Sequence, residues 1–243
     1  MKQINIYLAL SVFFLIGCTN QPKVPQYHIN KNDKIGYVIQ PSRKILHQHL
    51  GTTVFNNLKK TYDYNWHLEK DLEKILLKNI HVDLINLQKY NIKSTDIEGM
   101  IIEKDEKWVI AKNTLYQKLL QQLHLKAVIV ISEKAAVAGQ NYTVFKQSGI
   151  YSSNGLGLKE YRAVCAYSPD LYLLQPKAVI HIENEDDVKL IYNSVYDSYK
   201  KESGFEKPND IDNLTRDELL PVKRSIIKQS INSIKKINRY LKR

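Results

Sequence analysis

The chain has 243 residues and carries 36 lysines and arginines against 25 aspartates and glutamates, a formal charge of +11. A balance this basic points to anionic partners: phospholipid or lipopolysaccharide headgroups, teichoic acids, peptidoglycan carboxylates or nucleic acid. Two cysteines exclude a fold stapled by several disulfides, and the 43% apolar content is ordinary for a globular chain, so core burial has to hold it.

The first elements are not part of a folded domain. Lys2 gives a positive start, Ile4 to Ile16 is almost wholly apolar, and Gly17 is a small residue directly before Cys18. This is the layout of a secretory signal. The apolar run falls short of the about 20 residues that a permanent helical span needs, and no later segment is long and apolar enough to supply one. Leu15-Ile16-Gly17-Cys18 resembles the lipobox of bacterial lipoproteins. The resemblance implies that residues 1–17 are a signal peptide cut before Cys18. It further implies that Cys18 carries a diacylglyceryl thioether and an acylated amino group. Two or more acyl chains make a stable anchor. Thr19 rather than aspartate follows the cysteine. By analogy with enteric lipoproteins, that implies an outer membrane location facing the periplasm in a cell with two membranes. Residues 18–33 then read as the lipidated N-terminus and a polar, proline-bearing tether. Export makes nucleic acid the last candidate among the anionic partners.

Residues 34–243 read as a single α/β domain. The alternation in "KIGYVIQ" (34–40) predicts a strand that Pro41 ends. Leu68, Leu72, Ile75, Leu76 and Ile80 share a helical face, with Asn65 as N-cap. "VDLINL" (82–87) suits a buried strand. Thr95 and Glu98 in "TDIE" match a capping box. The stretch Met100 to Lys112 fits a helix or a strand pair equally. Leu115, Leu119, Leu120 and Leu123 form a helical stripe, and "KAVIVIS" (126–132) is a β-branched run suited to burial on both faces. This strand-helix-strand-helix-strand order predicts parallel strands with helices on the sheet faces. From Gly139 to Ile182 the glycines and aromatics predict antiparallel hairpin strands that extend the sheet. Two C-terminal helices complete the expectation, Asp187 to Lys201 and Pro221 to Leu241. The whole is a three-layer-like α/β sandwich. By element order alone it resembles the α/β sandwich domains of envelope lipoproteins.

Sites of chemistry are few. His47 and His49 in "ILHQHLGTT" stand two apart, so on a strand both side chains point to one face, a pattern that suits a ligand or a metal such as zinc. His28 and His67 are the candidates for further ligands. Thr52 and the amides of "GTTVFNN" can hold an anion or cap a helix. "SSNGLGL" (152–158) is a turn, since the chain has neither GxxxxGK[ST] nor GxGxxG, and no cofactor is expected. Ser152 and Ser153 lack the flanking glycines of a nucleophile elbow. "ENEDD" (183–187) reads as helix-start charge, and "DIDNLTRDE" fails as a calcium loop. Cys165, in an apolar run, is expected to be buried. The C-terminal helix pairs an apolar stripe with Lys228, Lys235, Lys236 and Arg239, which suit an anionic membrane or polymer as well as plain solvation. A lipid-anchored envelope module that binds a protein or an anionic polymer is therefore expected. The alternative is an envelope hydrolase or metal-dependent enzyme built on His47 and His49.

Overall fold

A computed structural model describes residues 24–40, 44–51, 57–63, 66–138, 143–153, 159–182, 188–195, 198–201 and 216–241. The leader, Cys18, Thr52, "ENEDD", the 154–158 turn and the 202–215 linker lie outside the described residues.

The protein is mixed α/β, with mixed sheets and a long C-terminal helix. One sheet has five strands in the order β13-β12-β7-β1-β4: β1 (Lys34–Gln40), β4 (Asp83–Asn86), β7 (Leu125–Glu133), β12 (Tyr167–Leu173) and β13 (Ala178–His181). The expected parallel core is there. β1 pairs in parallel with β4 and with β7, and the hairpin β12–β13 adds on antiparallel to β7. β1 and β7 are almost continuously buried because they sit inside the sheet with both faces covered.

The two faces of this sheet follow from strand alternation. Ile35, Tyr37, Ile39, Ala127, Ile129, Ile131 and Leu171 point to one side. There they meet helix α1 (Leu68–Asn79) through Leu68, Leu72 and Leu76, and helix α4 (Arg216–Leu241) through Val222, Ile226, Ile234 and Ile237. Val38, Val128, Val130, Tyr172 and Val179 point to the other side. That side is covered by the short helix α2 (Ser94–Ile97), the hairpin β5 (Ile101–Lys104)–β6 (Lys107–Ile110), and α3 (Asn113–Gln117) with the π turn that extends it. The stretch that fitted helix or strand pair is thus a strand pair. Its turn residues, Asp105 and Glu106, both have positive φ, as a tight twisted hairpin demands.

Of the strands expected to extend this sheet, β12 and β13 do so, and others form a second sheet. It has six strands in the order β15-β14-β11-β10-β2-β3. Its members are β2 (Lys44–Leu50), β3 (Leu58–Asp63), β10 (Gly149–Ser153), β11 (Lys159–Val164), β14 (Val188–Val195) and β15 (Ser198–Lys201). The small hairpin β8 (Ala136–Ala138)–β9 (Thr143–Phe145) flanks it, with Phe145 packed edge-on against Tyr151 of β10. α4 lies between the two sheets and touches β12 of the first and β11 and β14 of the second.

Two local expectations are corrected. The helix expected over Asp187 to Lys201 is the strand pair β14–β15, so one C-terminal helix remains among the described residues. Val188, Ile191, Val195 and Tyr199 do fall at helical spacing. The stretch is nonetheless rich in β-branched and aromatic residues, and the edge of β11 offers it a ladder of backbone partners. The Thr95/Glu98 capping box also does not form. Helix α2 starts two residues earlier, with Lys93 as its N-cap; the Lys93 N–H donates to Asp96 Oδ2 at 2.8 Å, and Glu98 ends the helix. The Glu98 carboxylate instead accepts the Ser132 hydroxyl at 3.1 Å. Cys165 is buried as expected, with Sγ 3.4 Å from Ser230 Oγ of α4.

Candidate functional site

His47 and His49 lie on β2 and point to one face, the face that Ile45 shares with the core. β10 runs parallel beside β2 and sets Ser152 opposite His49. Gly149 allows this pairing. A Cβ there would stand 1.9 Å from the Leu46 carbonyl oxygen, so only glycine lets the strands approach. The outcome is a three-residue polar cluster. His47 Nε2 and His49 Nδ1 each lie 2.8 Å from Ser152 Oγ.

The proton inventory assigns the roles. One hydroxyl proton serves two neutral imidazoles, so one ring donates and the other accepts. His47 Nδ1 is buried without a partner among the described residues. A buried bare lone pair is better tolerated than a buried orphan N–H. The His47 Nε2–H therefore donates to Ser152, and Ser152 donates to His49 Nδ1. Burial, then the neighbouring charges of His49 and Lys60, pushes the His47 pKa down to about 3. Burial lowers that of His49 as well. Both rings are neutral at pH 7.

The cluster supplies a base beside a hydroxyl, but Ser152 and His47 are each only 1% exposed. A nucleophile must meet its substrate, and this one is enclosed. As a metal site the pair offers two nitrogens that converge on one atom. Among the described residues, no group of three or more histidine, cysteine or acidic side chains is arranged to hold a metal ion. His67 does not join the pair. It starts α1 in a left-handed conformation with Nδ1 3.6 Å from Glu69. Nothing next to Ser152 in the sequence marks it, since it lacks the flanking glycines of a nucleophile elbow. Its partners are more than a hundred residues away in the chain.

On α4 the structure separates the four basic candidates. Lys228, Lys235 and Arg239 are exposed, and none has an ion pair among the described residues. Lys236 is half-buried and already engaged in an interaction. Arg224 is exposed on the same side, so Arg224, Lys228, Lys235 and Arg239 form a basic ridge along about 22 Å of helix. Lys223 is not part of it, because it pairs with Asp71 of α1 at 2.7 Å. The opposite side of α4 is the buried stripe described above.

A second polar cluster lies at the carboxyl ends of β1 and β7. Asp170 is 3% exposed and accepts from the Lys134 ammonium and from His181 Nδ1, the latter at 2.8 Å. Ser132 bonds Glu98, and the Ser94 hydroxyl donates to Gln40 Oε1 at 2.7 Å. Sequence reading missed this cluster too. Its members come from β1, α2, β7, β12 and β13, and no spacing links them.

These elements define a mixed α/β protein in which a long basic helix is clamped between two sheets. No protein-family model matches the chain, and no curated protein sequence matches it. Among solved structures, a hypothetical protein from Chlamydia trachomatis is similar over 86% of this chain and 98% of its own, at 8% identity and a TM-score of 0.36. A likeness that distant carries no argument about function.

Proposed function

We propose that the protein is a lipid-anchored module of the cell envelope, held by acylated Cys18, that binds without catalysis through the basic ridge of α4 to an anionic envelope surface. In a cell with two membranes that surface is the periplasmic side of the outer membrane. The ligands are its headgroups, an anionic polymer or an acidic protein.

One observation carries the reading. The Tyr27 hydroxyl donates to the backbone carbonyl of Tyr240, next to Arg239 at the end of the ridge. Tyr27 and Ile29 also pack against the main core. The segment leading from Cys18 thus joins the domain beside the basic ridge. The nine residues from Cys18 to Tyr27 reach at most about 30 Å, so an anchored Cys18 keeps the end of the ridge near the lipid. The alternative, a hydrolase or metal-dependent enzyme built on His47 and His49, has less support because the Ser152 hydroxyl between them is enclosed.

The test is membrane fractionation and intact mass of the native protein beside Cys18→Ala. The expected result is an acyl mass increment and membrane retention, both lost in the variant. An unmodified protein that stays in the soluble fraction would overturn the proposal. Stoichiometric zinc in the purified protein, lost on changing both histidines to alanine, would favour the enzyme instead.

A further inference from the structure

The chain leaves β1, returns through α1 to β4 on one side, and then crosses through α2, β5–β6 and α3 to β7 on the other side. The order therefore reverses between β1 and β7. In α/β sheets, ligands bind outside the carboxyl ends of strands at such a reversal. Strand alternation puts Gln40, Ser132, Asp170 and His181 on one face of the sheet near this edge, and Tyr172 on the same face further in, opposite Val128 of β7. The β5–β6 hairpin stands over the same face, and between hairpin and sheet lies a cavity of about 650 Å³. That volume lies in the range of small-molecule sites.

We propose that this cavity, walled by Trp108, Tyr172, Ile101, Val179, Glu103 and His181, binds a small organic cation, an amine on an apolar, ring-bearing body. Its walls set both halves of that description. Trp108 and Tyr172 supply aromatic surface, and Ile101 and Val179 supply aliphatic surface. Aromatic faces attract a cation as well as an apolar ring. The charge of the site runs against that of the chain. In a protein of formal charge +11, no lysine or arginine among the described residues lines the cavity, while the Glu103 carboxylate does. Glu98 is adjacent to the lining residue Gly99, and the nearby Lys134 is paired with Asp170.

Two polar groups are placed to receive the amine. Tyr172 is only 4% exposed and lines the cavity, and its hydroxyl has no hydrogen-bond partner among the described residues. Burial, with Asp170 and Glu98 nearby, raises the Tyr172 pKa, so the phenol stays protonated and its oxygen can accept an N–H. His181 is 62% exposed at the side chain and donates Nδ1–H to buried Asp170. That bond fixes the tautomer and leaves the Nε2 lone pair as an acceptor for an ammonium.

The experiment is calorimetric titration of the full-length protein with three matched probes: phenethylamine, phenethyl alcohol and phenylacetate. Saturable binding of the amine is expected, at least tenfold tighter than that of phenylacetate, with the alcohol between them. Glu103→Gln and His181→Ala, both at exposed positions, should each weaken the amine severalfold while leaving thermal unfolding unchanged. Tyr172→Phe should do the same if it folds, and the two exposed variants carry the test if it does not. No saturable amine binding, equal affinity for amine and phenylacetate, or binding unaltered in every folded variant would each overturn the proposal. Cys18→Ala should bind the amine as the native protein does, so this inference and the envelope reading stand or fall separately.

Discussion

His47 lies in a buried polar cluster with His49 and Ser152, and its burial sets how it responds to acid. His47 has its folded pKa depressed to about 3 from an ordinary 6.5, mainly by burial. Below pH 6.5 the unfolded chain takes up a proton at this position that the folded protein refuses. The contribution is therefore fully present above about pH 6.5 and is lost as pH falls toward 3. Urea unfolding of the native protein at pH 7 and pH 4.5 should show a large loss of stability, and His47→Gln should show a smaller loss over the same interval. Equal losses would mean that His47 titrates freely in the folded state. Removing the shared hydroxyl tests the same cluster at constant pH. Ser152→Ala leaves two imidazole nitrogens without their partner, which costs about 1–3 kcal/mol. The same assay should read that loss as a lower midpoint with an unchanged slope.

Single elements show where local pattern and tertiary context part. β1 and β7 were legible because an unbroken β-branched or alternating run has few ways to be buried. α1 was legible because Leu68, Leu72 and Leu76 repeat at helical spacing. β14 was not, because its apolar residues fit either period and the free edge of β11 decided between them. β2 depends on a partner that sequence does not reveal, the parallel strand β10, which approaches only because residue 149 is glycine. Gly149→Ala should separate the two strands and destabilise the protein severely, by more than about 3 kcal/mol, through overpacking against the Leu46 backbone. Circular dichroism melts would detect it, and an unchanged midpoint would refute the close approach. Within α4 the two sides should behave as opposites. Ile226→Ala in the buried stripe should cost about 2–5 kcal/mol, whereas Lys228→Ala on the ridge should stay within about 0.5 kcal/mol.

At the scale of the whole molecule, α4 serves the interior and the surface at once. Its apolar stripe is committed to the core between the sheets, so only its basic ridge is left for a partner. An apolar face inserted into lipid is therefore not the expected mode of contact; electrostatic contact is. Changing Arg224, Lys228, Lys235 and Arg239 together to glutamine should leave folding intact. Binding to vesicles containing phosphatidylglycerol should fall steeply, since each basic group near an anionic surface contributes about 1 kcal/mol. Native binding should also weaken as salt is raised from 0.05 to 0.5 M, because the Debye length shrinks from more than about 10 Å to less than about 5 Å. Sedimentation with vesicles measures both. Binding that ignores both salt and the four substitutions would remove the ridge from the proposal.

Short-range chemistry determined what could be read from sequence alone: the burial of Cys165, the parallel strands β1, β4 and β7, the helical stripes of α1 and α4 and the basic side of α4. Each is written in neighbouring residues, where spacing and side-chain type are the physical cause. Tertiary structure alone decided the second sheet, the strand pair at 188–201, the enclosure of Ser152 between His47 and His49, and the cavity beside Tyr172 and His181. Those features depend on which strand edges were free and which distant side chains came to one face, and that is settled only when the whole chain is packed.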